Sequence, residues 1–233
     1  MNEISVYDGY VRINQDSVLG SDLAVVNCAR VSYDKLSLSW SERDEKLLRY
    51  LWENKHTSPF RHSFIRFEIK APIFVLRQWM KHQVGCSWNE ISARYVEMPE
   101  EEAFYPISWR YQDSKNKQSS TGELPTEDQD EAMDLLHESY KVSYRNYKKL
   151  IELGVCREQA RVLLPVGMYS KAVWTASLQA IMNFLELRLD HHAQKEIRDY
   201  AEAVLNLTSS YFPKSMELIK CSHALNAVKS FKD

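Results

Sequence analysis

The sequence predicts an α+β fold, and three observations carry that prediction. Residues 63–70, SFIRFEIK, alternate: Ile65, Phe67 and Ile69 face one way and Arg66, Glu68 and Lys70 the other, the period of a half-buried strand. Several other stretches repeat apolar residues at helical spacing. The two kinds of segment do not follow one another as regular βαβ units, which argues against a doubly wound sheet. Consistent with that, the chain has six glycines and neither G-x-G-x-x-G nor G-x-x-x-x-G-K-[ST], so a Rossmann turn and a P-loop are excluded.

Taken in order, MNEISVYDGYVRI at the N-terminus reads as a first strand, being neither a signal nor a transit peptide. Ser41 is placed to cap a helix over 42–54 whose apolar stripe is Leu47, Leu48, Leu51 and Trp52. After the strand at 63–70, Pro72 suits the first turn of a helix over 72–83. Residues 112–126, QDSKNKQSSTGELPT, form a polar loop with Gly122 and Pro125. Thr126 and Gln129 have capping-box spacing for a long helix, 127–152, with Ala132, Leu135, Leu136, Tyr140, Tyr144, Tyr147 and Ile151 on its buried face and Gly154 ending it. A short helix over 157–163 stops before Pro165, and 166–176 reads as a strand. Helices follow over 177–188, carrying Ile181, Phe184, Leu185 and Leu187, and over 193–211, ending before Pro213.

A chain of 233 residues, 44% hydrophobic, can bury a sizeable core as a single domain over 1–233. Its net charge of −2 and pI of about 6.4 give no field that draws it to nucleic acid or membrane. No apolar run approaches the ~20 residues of a membrane span. Cys28, Cys86, Cys156 and Cys221 are scattered without metal or redox spacing, which places the chain in a reducing cytoplasm.

The chemistry concentrates in RQWMKHQVGCSWNEISARY, 77–95, where Arg77, Gln78, Lys81, His82, Gln83, Asn89, Glu90, Ser92 and Arg94 are interleaved with Trp79, Trp88 and Tyr95. Cationic heads hold phosphate, amides and a carboxylate read a heterocycle edge, and aromatics wall a site; the alternative is a solvated helix and polar loop. Gln78, Lys81 and His82 are spaced for one helix face, and Glu90, Ser92 and Arg94 for one side of an extended segment. HTSPFRH, 56–62, has two histidines but no third ligand nearby, so a turn lining a polar pocket is preferred to a metal site. Arg157 and Arg161 lie one turn apart, with Glu158 able to neutralise one of them. Asn183 and Arg188 stand out on an apolar helix. His191, His192 and Glu196 are read as an exposed helix start rather than metal ligands. No G-x-S-x-G is present, and Cys156 lacks a positioned base, so no nucleophile is assigned.

The blocks ARVSYD (29–34), HTSPFRH (56–62), APIFVLRQWMKH (71–82), NEISARY (89–95), REQARVLLP (157–165) and MNFLELRLDHHAQKEI (182–197) together resemble the flavin-dependent thymidylate synthases. The resemblance implies a central, mainly antiparallel sheet packed by long helices. It implies reductive methylation of dUMP to dTMP, with methylenetetrahydrofolate as carbon donor and NADPH-reduced FAD as hydride donor, in a homotetramer whose active sites are shared between subunits. It assigns Arg188 and His56 to catalysis. Ser58, Lys81, His82, Gln83, Glu90, Ser177 and Asn183 are assigned to the cofactor. Gln78, Lys81, Glu90, Ser92, Ala93, Arg94, Arg161 and Arg188 are assigned to dUMP. No metal is implied. The chain departs from the family signature at Lys81 and Gln83, which replace arginines, and at Ser177, which replaces an asparagine. Eight residues, 84–91, stand before Ser92 where the family has seven, to be absorbed by a bulge or a longer turn at Gly85. Two other readings are a related folate-dependent enzyme modifying pyrimidine nucleotides, and an inactive nucleotide- or flavin-binding homologue.

Overall fold

In the computed structural model, which describes residues 2–99, 102–114 and 116–230, the strands are Asn2–Val6 (β1), Gly9–Leu19 (β2), Phe64–Pro72 (β3), Cys86–Glu90 (β4), Arg110–Gln112 (β5), Ser120–Glu123 (β6) and Tyr169–Ser177 (β7). The α-helices are Asp22–Arg30 (α1), Glu42–Glu53 (α2), Ile73–Trp79 (α3), Thr126–Glu152 (α4), Arg157–Ala160 (α5), Leu178–Arg188 (α6), Lys195–Ser209 (α7) and Pro213–Ser230 (α8). Five strands make one sheet in the order β1-β2-β3-β7-β4, antiparallel throughout, and β5 and β6 form a separate hairpin. The N-terminal stretch is thus a hairpin rather than one strand. Tyr7, at φ 54°, turns the chain, and its hydroxyl is held by Asp199 of α7, a partner far away in sequence.

The alternation in β3 sets the core. Ile65, Phe67 and Ile69 are at most 1% exposed and belong to the hydrophobic core, and Phe67 stands opposite Trp174 of β7, stacked at 5.4 Å. Trp79 at the end of α3 stacks on Phe184 of α6 at 4.7 Å, and Trp88 of β4 stacks on Trp174. Fully burying such aromatic side chains supplies the largest single hydrophobic contributions in the molecule. On the outer face Lys70 and Lys171 are direct cross-strand neighbours, a repulsive pairing that Glu102 offsets by reaching both at 3.0 and 3.8 Å.

Further expectations need correction: Ser41 stands at the start of α2 but its hydroxyl bonds the Asp44 carboxylate instead of capping, and the polar stretch 112–126 contains β6, paired with β5, rather than being loop throughout. The helix from Pro72 ends at Trp79, because Lys81 and His82 turn back onto the carbonyls of Gln78 and Trp79, three residues earlier. The capping box at Thr126 does not form: the Gln129 amide instead binds the backbone of Trp109 on both sides and the carbonyl of Leu124. Gly154, at φ 85°, does close α4, but of the stripe expected to be buried only Tyr147 is, and Leu135 is 60% exposed. Pro213 opens a further helix rather than merely following one. Asp22 of α1 caps α8 by accepting from the backbone N–H groups of Lys214 and Ser215 at 2.8 and 3.0 Å and from the Ser215 hydroxyl. No helix among the described residues is long and apolar enough to cross a membrane.

Candidate active site

Beyond the C-terminal end of β4 lies a cavity of about 660 Å³. Pro72 pairs with Tyr169 and the Ile73 N–H donates to the Met168 carbonyl, so α3 starts beside the first residues of β7. Ile73 and Arg77, one helical turn apart, then face the cavity. Glu90, opposite Ala172 in the ladder, ends β4 at the same place, and the chain continues through Ile91, Ser92 and Ala93 along the wall. Glu158 and Arg161, from α5 and the 3-10 turn after it, close the far side.

The polar groups here are oriented. Glu90 accepts a hydrogen bond from the Ser170 hydroxyl at 2.6 Å, and Ser170 is 3% exposed. Arg161 donates from Nε to the backbone carbonyl of Glu158. Ser92 is not in an extended segment: its carbonyl accepts from Tyr95 and Val96, which makes 92–96 a turn and directs Arg94 onto Glu158 at 2.6 Å instead of alongside Glu90. Two guanidinium groups and two carboxylates around one cavity suit a ligand with an anionic end and a polar, hydrogen-bonding edge.

Of the residues expected to bind dUMP, Glu90, Ser92, Ala93 and Arg161 line this cavity and Arg94 stands at its rim. The others lie elsewhere in the chain. Gln78 donates to the side chain of Gln194. Arg188, at the last turn of α6, donates from Nε to Nε2 of His82 at 2.9 Å. Burial, and then the neighbouring Arg188 charge, lower the His82 pKa to about 4, so the ring is neutral near pH 7 with its proton on Nδ1. Burial likewise lowers the pKa of Arg188.

The expected cofactor residues Ser58, Lys81, Gln83 and Asn183 are exposed, and no other described residue bonds their side chains. They are open donors and acceptors, and a cation with amides and a hydroxyl suits a phosphate-bearing, heterocyclic cofactor. Ser177 does not fit that use. It is 2% exposed, and its hydroxyl caps α6 by accepting from the Ala180 N–H at 3.2 Å. Its backbone N–H donates to the carbonyl of Gly85. Val84–Gly85 form a turn just before β4, and β4 pairs with β7 without a bulge. Gly85 is required there: its φ is +76°, and a Cβ would come within 2.8 Å of the Ser177 hydroxyl. His56 is exposed and sets its edge against the ring of Tyr50.

Arg77, Glu158 and Ser170 line the cavity without having been assigned to it from the sequence. The i, i+4 spacing of Ile73 and Arg77 was the available signal for the first; nothing local marks the other two. Glu158 pairs with Arg94 rather than with Arg157 or Arg161. Glu196, considered alongside His191 and His192, binds Arg110 at 2.8 Å. Burial would raise its pKa, but Arg110 and Gln194 hold it lowered. Cys156 is exposed, with Gln159 as its neighbour.

The family model described as thymidylate synthase complementing protein matches residues 16–214. Proteins named flavin-dependent thymidylate synthase from Thermosipho melanesiensis and Kosmotoga olearia are 40% and 42% identical over 216 residues, 92% of this chain and 92% of each relative. The chain belongs to the flavin-dependent thymidylate synthase family. Among solved structures, the UMP/dUMP methylase PolB from Streptomyces cacaoi, bound with 5-Br UMP, matches with a TM-score of 0.80 and 32% identity over 92% of this chain and 95% of that one. The same enzyme bound with 5-Br dUMP matches with a TM-score of 0.82. This flavin-dependent thymidylate synthase family member therefore has the α+β architecture, with an antiparallel sheet, that its sequence predicts.

Proposed function

We propose that this chain methylates dUMP reductively to dTMP, taking the carbon from methylenetetrahydrofolate and reducing equivalents from NADPH through FAD. The observation that carries the reading is the cavity itself. Segments about 70 residues apart in sequence bring Glu90, Ser92, Ala93 and Arg161 to one space of about 660 Å³, enough for a nucleotide monophosphate. In this reading Arg161 and Arg94 hold the phosphate, and Glu90, fixed by Ser170, accepts from a ring N–H or a sugar hydroxyl. FAD, when bound, supplies the hydride, and Ser58, Lys81, His82, Gln83 and Asn183 would hold it; Ser177 serves the fold. Arg188 stabilises negative charge on the uracil ring, which raises nucleophilicity at C5 without an enzyme nucleophile. A neutral His82 keeps a second positive charge away from that guanidinium.

Arg161 lines the cavity and Arg188, bonded to His82, is not among its lining residues, which supports active sites shared between copies, in a homotetramer. So does the exposed apolar surface: Val31, Tyr33, Leu36 and Leu38 are 69–89% exposed, and α4 buries one side chain over 27 residues. The test is an anaerobic incubation with dUMP, methylenetetrahydrofolate, FAD and NADPH. Bleaching of the flavin bands and product at the mass of dTMP are expected. A colourless protein that takes up no FAD, or a product of another mass, refutes the assignment. UMP belongs in the same assay, because the solved structural neighbours carry both kinds of nucleotide.

A further inference from the structure

We propose that Glu158 is a positioning residue: it holds Arg94 at the rim of the cavity and yields it to the phosphate of an incoming nucleotide, so that it sets the affinity for phosphate-bearing ligands. This rests on the cavity taking a pyrimidine nucleotide monophosphate. Two guanidinium groups, Arg77 and Arg161, line the space and a third, Arg94, stands at its rim, and they are not equivalent. Arg77 has no hydrogen-bond or ion-pair partner among the described residues, and Arg161 spends one donor on a backbone carbonyl. Among the described residues, Arg94 is the one of the three tied to a carboxylate, at 2.6 Å. The second carboxylate of the cavity, Glu90, is occupied by Ser170. Arg77 and Arg161 thus form the standing cationic wall, and Arg94 is the exchangeable member.

The exchange is inexpensive. The Arg94 and Glu158 side chains are 49% and 57% exposed, and ion pairs so open to water are weak. A phosphate offers three oxygens and accepts a guanidinium bidentately, so it outcompetes a solvated carboxylate. The two partners sit on different segments, the turn at 92–96 and α5, so loss of the pair frees one wall of the cavity from the other.

The experiment is calorimetric titration of dUMP, deoxyuridine and inorganic phosphate into the full chain, comparing wild type with Glu158→Gln, Arg94→Ala and the double variant. Glu158 is exposed, so the Gln form is expected to fold. Glu158→Gln should tighten dUMP and inorganic phosphate about two- to fivefold. It should leave deoxyuridine unchanged, and the gain should shrink as salt rises. In the Arg94→Ala background the gain should vanish. Unchanged or weaker dUMP binding by Glu158→Gln overturns the proposal. So does a gain that persists without Arg94, which would mean that Glu158 acts on the phosphate directly. A wild-type chain that binds no dUMP overturns the assignment of the cavity as well, whereas equal dUMP binding by wild type and Glu158→Gln overturns this inference alone.

Discussion

Replacing His82 by Gln tests the half-buried pair at the end of α6. The imidazole titrates near 6.5 in an unfolded chain and near 4 in the folded one, chiefly because burial disfavours its charged form and then because Arg188 adjoins it. The unfolded chain therefore binds more protons between those values, and stability is lost as pH falls from 6.5 towards 4. From pH 7 to pH 5 this single group costs about 2 kcal/mol, reduced to about 1 kcal/mol because the ring is partly open to screening solvent. Carboxylates held below their ordinary range, such as Asp190 and Glu196, lose their contribution only at lower pH and add little in this window. Glutamine keeps an acceptor for Arg188 Nε but does not titrate. Urea denaturation at fixed protein concentration should show the wild-type midpoint falling by about 0.4 M more than that of His82→Gln between pH 7 and pH 5, for a slope of roughly 2–3 kcal/mol/M. Parallel midpoints, or a wild type that gains stability on acidification relative to the variant, would refute a neutral, half-buried His82.

Gly85→Ala should destabilise the chain by about 2 kcal/mol or more, because it combines a left-handed backbone with a contact on Ser177; a thermal melt unchanged within a degree would contradict the turn. Asp22→Ala removes the acceptor for two N–H groups and one hydroxyl at the start of α8 and should cost about 1–3 kcal/mol, measured by denaturant unfolding. Arg188→Ala should lower dTMP formation by at least about 100-fold with the melting temperature nearly kept; near-normal turnover would exclude its role in stabilising ring charge. Ser170→Ala should raise KM for dUMP severalfold, with Ser170→Thr restoring it, if the hydroxyl orients Glu90.

Much of the fold was legible because short-range pattern carries it. The alternation of Ile65, Phe67 and Ile69 predicted which face of β3 is buried, and the apolar spacing at 42–54 and 177–188 predicted α2 and α6 to within a residue or two. Pattern failed where a distant partner decides. The periodicity of α4 reports an apolar stripe but not what covers it, and within one chain little does. The end of α3, the Tyr7 turn and the start of α8 depend on hydrogen bonds to groups that are remote or compete locally: Asp199 for Tyr7, and Asp22 for Lys214 and Ser215. Gln129 had the spacing of a capping residue, yet the backbone of Trp109 offered it better partners.

The site divides in the same way. By itself the sequence determined which chemistry is present: guanidinium groups, a carboxylate and amides within 77–95, and further arginines at 161 and 188. Those are properties of side-chain type and local order. The tertiary structure alone decided which of them meet. It put Arg161 beside Glu90 and Ser92, set Arg188 against a neutral His82, tied Arg94 to Glu158, and withdrew Ser177 into the cap of α6. The reason is that charge pairing and burial depend on distance through space, which sheet register and helix packing fix and which order along the chain does not encode.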